Sequence, residues 1–192
     1  MIPQTPVTRL TIFTGSSTGH DLIYQREAHT LGQRLAQAGI GVVYGGAKVG
    51  LMGIIADAAL EAGGEVIGVM PQGLKDQEIA HPELSQLHVV ADMHQRKKMM
   101  GELGDGFVAF PGGMGTLEEF FEAWTWQYLG IHCKPVGLYN VESFWQPLLE
   151  MVDRMVAEGF LAPWRRDALI LGEDPDILLE RLQSWQLPTL TR

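Results

Sequence analysis

Cysteine occurs once in the 192 residues, at Cys133, which excludes an intramolecular disulfide and any multi-thiolate metal site and fits a reducing compartment, the cytoplasm. Basic residues are scarce as well: 14 Lys and Arg stand against 23 Asp and Glu, for a formal net charge of -9. A chain that coats a nucleic acid polymer needs a basic face to displace counterions, so no such partner is expected. A single small anion is not excluded, because backbone amides and one or two placed cations can hold a phosphate whatever the global charge. Long hydrophobic runs are missing. The most apolar long window, Gly39 to Leu60, is broken by Lys48, Asp57 and several glycines, whereas a span needs roughly 20 nearly uninterrupted apolar residues. No membrane partner is expected, and Met1 to Val7 does not read as a secretory signal.

Familiar motifs are absent too. The six histidines show neither His-x-His nor His-Glu-x-x-His spacing, so no metal and no other cofactor is expected. The glycine run Gly45 to Gly53 lacks the Gly-Lys-Ser/Thr ending of an ATPase phosphate loop. Gly113-Met114-Gly115 is followed by Glu118 where a dinucleotide fingerprint needs its third glycine, and a carboxylate there would repel a pyrophosphate. Gly15 to Gly19 is not taken for a serine-nucleophile elbow, so acyl transfer is not expected.

What is present is a rhythm. Short apolar or β-branched runs at Leu10–Thr14, Gly41–Tyr44, Val66–Met70, Leu87–Val90, Phe107–Phe110 and Pro135–Tyr139 read as strands. Between them, Tyr24–Ala38, Leu51–Ala62, Asp92–Leu103, Thr116–Leu129 and Phe144–Glu158 are long enough for three or more helical turns. The tail adds a strand candidate at Ala168–Leu171 and a helix candidate at Asp176–Trp185. Strand and helix in alternation predict one α/β domain over residues 1–192, Rossmann-like and doubly wound, with a mostly parallel sheet covered by helices on both faces.

Ligands of such sheets bind beyond the carboxyl ends of the strands. Glycines and small hydroxyls gather in those loops: Gly15-Ser16-Ser17, Gly45-Gly46-Ala47, Pro71-Gln72-Gly73, and Pro111-Gly112-Gly113-Met114-Gly115-Thr116-Leu117-Glu118-Glu119. The last segment has two readings. Thr116 and Glu119 have the spacing of a capping box, a common helix start that needs no ligand. Alternatively, the free amides of Gly113 to Thr116 and the positive end of the helix dipole bind a phosphate while Glu119 stays ionised. A box alone does not require a proline and three glycines before it, which favours the second reading.

Pro-Gly-Gly-x-Gly-Thr-x-x-Glu at 111–119, preceded by Arg96-Lys97-x-Met99, resembles the signature pair of the LOG (Lonely Guy) phosphoribohydrolases. The resemblance runs through Ser16-Ser17, Val43-Tyr44-Gly45-Gly46, Gly50-Leu51-Met52-Gly53, Glu78-Ile79-Ala80-His81-Pro82 and Thr125-Trp126-x-x-Leu129-Gly130-Ile131-His132, most of residues 10–140. It implies hydrolysis of the N-glycosidic bond of cytokinin riboside 5'-monophosphates, with Arg96 and Glu119 as catalytic pair. Glu78, Lys97, the Gly112 to Glu118 loop and Thr125 would surround the substrate, and the Gly15, Ser16, Gly45 and Gly46 loops would complete the site. The chemistry agrees: ribosyl cleavage builds positive charge at the anomeric carbon, which an ionised carboxylate stabilises, while a guanidinium holds phosphate or ribose oxygens.

Two alternatives stay open: the same reaction on AMP or purine nucleotides generally, and a nucleotide or molybdenum cofactor carrier that binds without turnover. Family members often carry the label lysine decarboxylase, which nothing in this sequence supports, since no lysine stands out as a Schiff-base residue. The resemblance also implies a homodimer. Phe120, Phe121, Trp124, Trp126, Tyr128 and Leu129 cover more than one face of a 3.6-residue period, more than a sheet alone would cover.

Overall fold

The computed structural model describes residues 6–75 and 80–186. Seven strands form one sheet: β1 (Arg9–Phe13), β2 (Gly41–Tyr44), β3 (Val66–Pro71), β4 (Gln86–Val90), β5 (Gly106–Ala109), β6 (Val136–Tyr139) and β7 (Ile170–Gly172). Their spatial order is β4-β3-β2-β1-β5-β6-β7 and every pairing is parallel. The main helices are α1 (Leu22–Gln37), α2 (Gly50–Glu61), α4 (Met93–Leu103), α5 (Met114–Tyr128), α6 (Gln146–Ala157) and α8 (Pro175–Ser184), with short α3 (Gln72–Lys75) and α7 (Pro163–Asp167). The Rossmann-like α/β expectation holds.

Two cores lie on opposite faces of the sheet. One is built by Ala28, Leu31 and Leu35 of α1, Leu51 and Ile55 of α2, and Leu178 and Leu182 of α8. The other is built by Met100 of α4, Phe120 and Trp124 of α5, and Leu149 and Val152 of α6. Strands buried on both faces must be apolar throughout, as β1, β2, β3, β5 and β6 nearly are. At the sheet's edge β4 departs from this, leaving Leu87 and Val89 exposed.

The first four strands step outward from β1 to one side, and β5 returns to its other side. The strand order therefore reverses between β1 and β5, the crevice where open α/β sheets bind ligands. Helix starts gather at this edge. Asp21 caps α1 by accepting from the Ile23 amide (3.0 Å), and Asp92 caps α4 by accepting from the Gln95 amide (2.8 Å). Neither α2 nor α5 has a side-chain cap: Val49 and Gly113 hold those positions.

Candidate active site

The loops after β1 and β5 touch through bare backbone. The Gly15 amide donates to the Pro111 carbonyl (3.3 Å), and the Thr14 hydroxyl donates to the same oxygen (3.1 Å). A Cβ on Gly112 would stand 2.7 Å from the Gly15 nitrogen and 2.1 Å from Oγ1 of Thr116, so no side chain fits there. Thr116 is 3% exposed and lies inside α5, which begins at Met114. The capping-box reading of Thr116 and Glu119 is therefore corrected: the hydroxyl is packed under Gly112, and Gly113 is the N-cap. Within the helix, Leu117 is the residue whose amide returns to Gly113 (3.2 Å), so the first-turn amides of Met114, Gly115 and Thr116 precede the helical ladder. A Cβ on Gly113 or on Gly115 would meet nothing within 4 Å. Packing does not demand glycine at either position, and both present backbone to open space beside exposed Met114.

Arg96 and Glu119 meet beside this loop. Arg96, on the first turn of α4, is 8% exposed, and its Nε donates to the Val69 carbonyl within β3 (3.1 Å). Its Nη2 occupies the space above Gly45, where a Cβ would stand 2.0 Å away. Nη1 lies 3.9 Å from Oε1 of Glu119, whose side chain is 13% exposed. That separation attracts but is too long for a hydrogen bond, so both groups keep their capacity for a ligand. Burial pushes Glu119 up to about 7, against the pull of Arg96 and with added repulsion from Glu118. The sequence reading has this carboxyl ionised throughout; in the folded chain it loses its proton around neutrality.

Lys97 is engaged by carboxylates of α5. Its ammonium binds Glu118 and, at 3.0 Å, Glu122, tying α4 to α5. Burial disfavours its charge, but the hydrogen bonds it donates to Glu118 and Glu122 outweigh this and its pKa is raised. Gly46 has φ +84 and Gly50 φ +54; a Cβ on Gly50 would stand 2.2 Å from the Ser16 carbonyl carbon, so the β1 and β2 loops also abut. Ser16 is exposed. Thr125 is exposed on α5, about 9 Å along the axis from Glu119 by helical rise, and is not brought to the pair within this chain. Glu78 lies outside the described residues.

Gly15-Ser16-Ser17-Thr18-Gly19 does fit the spacing of a nucleophile elbow. An elbow needs a sharp strand-to-helix turn at the serine; here α1 begins five residues past Ser17, at Leu22, and Ser17 is exposed. Among the described residues no group of three or more His, Cys, Asp or Glu is placed to hold a metal. None of the described helices is long and apolar enough to cross a membrane.

Fold and site together define a Rossmann-like α/β protein with an open glycine loop at the switch point and a buried carboxylate beside a guanidinium. The chain belongs to the LOG family. The family described as possible lysine decarboxylase matches residues 52–182. A cytokinin riboside 5'-monophosphate phosphoribohydrolase of Rhodococcoides fascians is 45% identical over 91% of this chain and 89% of its own. A probable enzyme of the same name from Oryza sativa subsp. japonica is 44% identical over 96% of this chain and 76% of its own. Among solved structures, the Moco carrier protein of Chlamydomonas reinhardtii aligns with a TM-score of 0.70 over 93% of this chain and 97% of its own, at 21% identity, a likeness of fold alone.

The decarboxylase description implies pyridoxal phosphate, and the lysines do not fit it. Lys48 is engaged by Asp57, Lys97 by Glu118 and Glu122, Lys98 by Glu102, and Lys134 by the carbonyls of Gly101 and Gly104; Lys75 is exposed at the end of α3. None stands in the crevice to form a Schiff base.

Proposed function

We propose that the protein hydrolyses cytokinin riboside 5'-monophosphates to the free N6-substituted adenine and ribose 5-phosphate, activating the hormone base. The observation that carries this reading is the buried Glu119 carboxyl set 3.9 Å from Arg96 beside the open Gly113–Thr116 backbone. The amides and dipole at the start of α5 suit the 5'-phosphate. As the bond from C1' to the base nitrogen breaks, the electron pair leaves with the base and cationic charge develops at C1'. Ionised Glu119 stabilises that charge and orients the water that adds there; the water gives up one proton, to Glu119 or solvent, and the departing base takes one up from solvent to leave neutral. Arg96 stays protonated; it serves as a donor to substrate oxygens or to the departing base. A carrier needs the glycines but not an acid in this place, which favours the hydrolase over the carrier.

The reading extends to a homodimer in the cytoplasm. Phe120 and Trp124 are consumed by this chain's own core, but Tyr128, Leu129 and Ile131 at the end of α5 are 52%, 60% and 63% exposed, apolar surface that suits a second copy. Exposed Cys133 suits a reducing compartment. Sedimentation giving a monomer at micromolar concentration would count against the dimer.

The test is release of free base from isopentenyladenosine 5'-monophosphate and from AMP, followed by chromatography, with Glu119→Gln and Arg96→Ala alongside. Release abolished in both variants and faster from the isopentenyl substrate supports the reading. Equal or faster release from AMP moves the substrate to purine nucleotides generally, and tight binding without release from either makes the protein a carrier.

A further inference from the structure

One polar cluster has no part in that chemistry. The His81 side chain is fully buried, and its Nε2 lies 2.9 Å from Oδ1 of Asp57 on α2. Its Nδ1 accepts from the Glu83 amide (3.2 Å), which puts the proton on Nε2 and makes His81 the donor to Asp57. Lys48, in the loop between β2 and α2, reaches the same Asp57 oxygen at 3.0 Å. These bonds from Lys48 and His81 overcome the burial of Asp57 and hold its pKa below the usual carboxylate value.

The cluster is also tied to the loop that follows β2. The His81 amide donates to the Gly46 carbonyl (3.0 Å), and Ala80 pairs with Ala47 in an isolated antiparallel bridge. Beneath, Gly46 lies on Gly68 of β3 so closely that a Cβ on Gly68 would stand 2.7 Å from the Gly46 Cα. The loop is thus pinned by β3 from below, by Asp57 through Lys48, and by His81 from the side. The residue next to Gly46 is Gly45, the seat of the Arg96 guanidinium. If the Gly45–Gly46 backbone shifts, Nη2 of Arg96 loses its place and the separation from Glu119 changes.

We propose that His81, clamped by Asp57, is a positioning residue: it fixes the Gly45–Gly46 backbone and, through that seat, the Arg96 guanidinium against Glu119. This rests on the hydrolase reading for its kinetic consequence, but not for its structural one. Misplacing a reacting group by about 1 Å can cost on the order of 100-fold in rate.

The experiment compares His81→Ala, His81→Gln and Asp57→Asn with wild type in two measurements. The first is kcat and KM for base release from isopentenyladenosine 5'-monophosphate, well below every melting midpoint. The second is the Arg96 Nε–H resonance, which its bond to the Val69 carbonyl should make visible. Glutamine places an N–H donor near the position of histidine Nε2, and alanine places none. His81→Ala and Asp57→Asn should lose at least about tenfold in kcat, with the Arg96 resonance shifted or broadened, while His81→Gln stays near wild type in both. An unperturbed resonance and kcat in His81→Ala, or equal damage by glutamine and alanine, overturns the proposal. Should His81→Ala fail to fold, Asp57→Asn carries the test, since Asp57 is partly exposed. If wild type releases no base, the hydrolase reading fails by itself, and the resonance still decides whether His81 places Arg96.

Discussion

Nη2 of Arg96 lies where the side chain of residue 45 would begin: a Cβ on Gly45 would stand 2.0 Å from it. Gly45 carries no positive φ, so alanine would suit its backbone and would act only by evicting the guanidinium. Gly45→Ala should cost about 100-fold in kcat/KM for base release while the circular dichroism spectrum stays native. Near-wild-type turnover in this variant would mean that Arg96 works from another position than the one described.

Gly115 gives the opposite case. It lies in the first turn of α5, and a Cβ there would meet nothing in the chain. Alanine at a compatible helical position stabilises by about 0.4 to 1 kcal/mol. Gly115→Ala should therefore raise the melting temperature slightly and raise KM by an order of magnitude, because the methyl stands where the phosphate approaches. A variant that is more stable with unchanged KM would remove this turn from the binding site.

The fold was legible because its signals are local. Buried parallel strands write continuous apolar runs, and all seven strand readings match observed strands within a residue or two. The site was legible in part. Pro111 to Glu119 announces itself by glycines that no cap requires, yet Thr116 and Glu119 spell a capping box that does not form. The spacing is identical in both cases, and only the contact of Thr116 with Gly112 separates them. The Lys48, Asp57 and His81 cluster was illegible, since its members are 9 and 24 residues apart along the chain and meet only in the fold. The engagement of Lys97 by Glu118 and Glu122 was hidden because it joins two helices, α4 and α5, with β5 between them, beyond the reach of any local pattern.

That engagement makes Lys97 testable as an electrostatic support. Its charge lowers the Glu119 pKa, whereas Glu118 and Glu122 raise it. Lys97→Met leaves Glu118 and Glu122 without their shared cation, so it should cost about 1 kcal/mol of stability, discounted for exposure of the partners. The acid limb of the pH–rate profile should move to higher pH, with KM little changed. A large rise in KM with an unmoved limb would instead make Lys97 a direct substrate contact.

Glu119 links activity and stability with opposite signs. Its pKa stands at about 7 in the folded chain against 4.5 as the ordinary value, raised first by burial. Between these values the native state holds more protons than the unfolded one, so stability declines as pH rises through that window, by on the order of 3 kcal/mol once past 7. If the ionised carboxylate acts on the developing cation, kcat/KM must rise tenfold per pH unit below about 7 and level off above it. Glu119→Gln cannot ionise. It should lose about 100-fold or more in kcat, yet unfold at higher denaturant than wild type at pH 8 and show little advantage at pH 5. Urea titrations at both pH values, set beside the rate profile, check the two signs together. A variant that is inactive and also less stable at pH 8 would mean that the folded protein needs the charge for its structure, and that the carboxylate is not held under strain for the reaction.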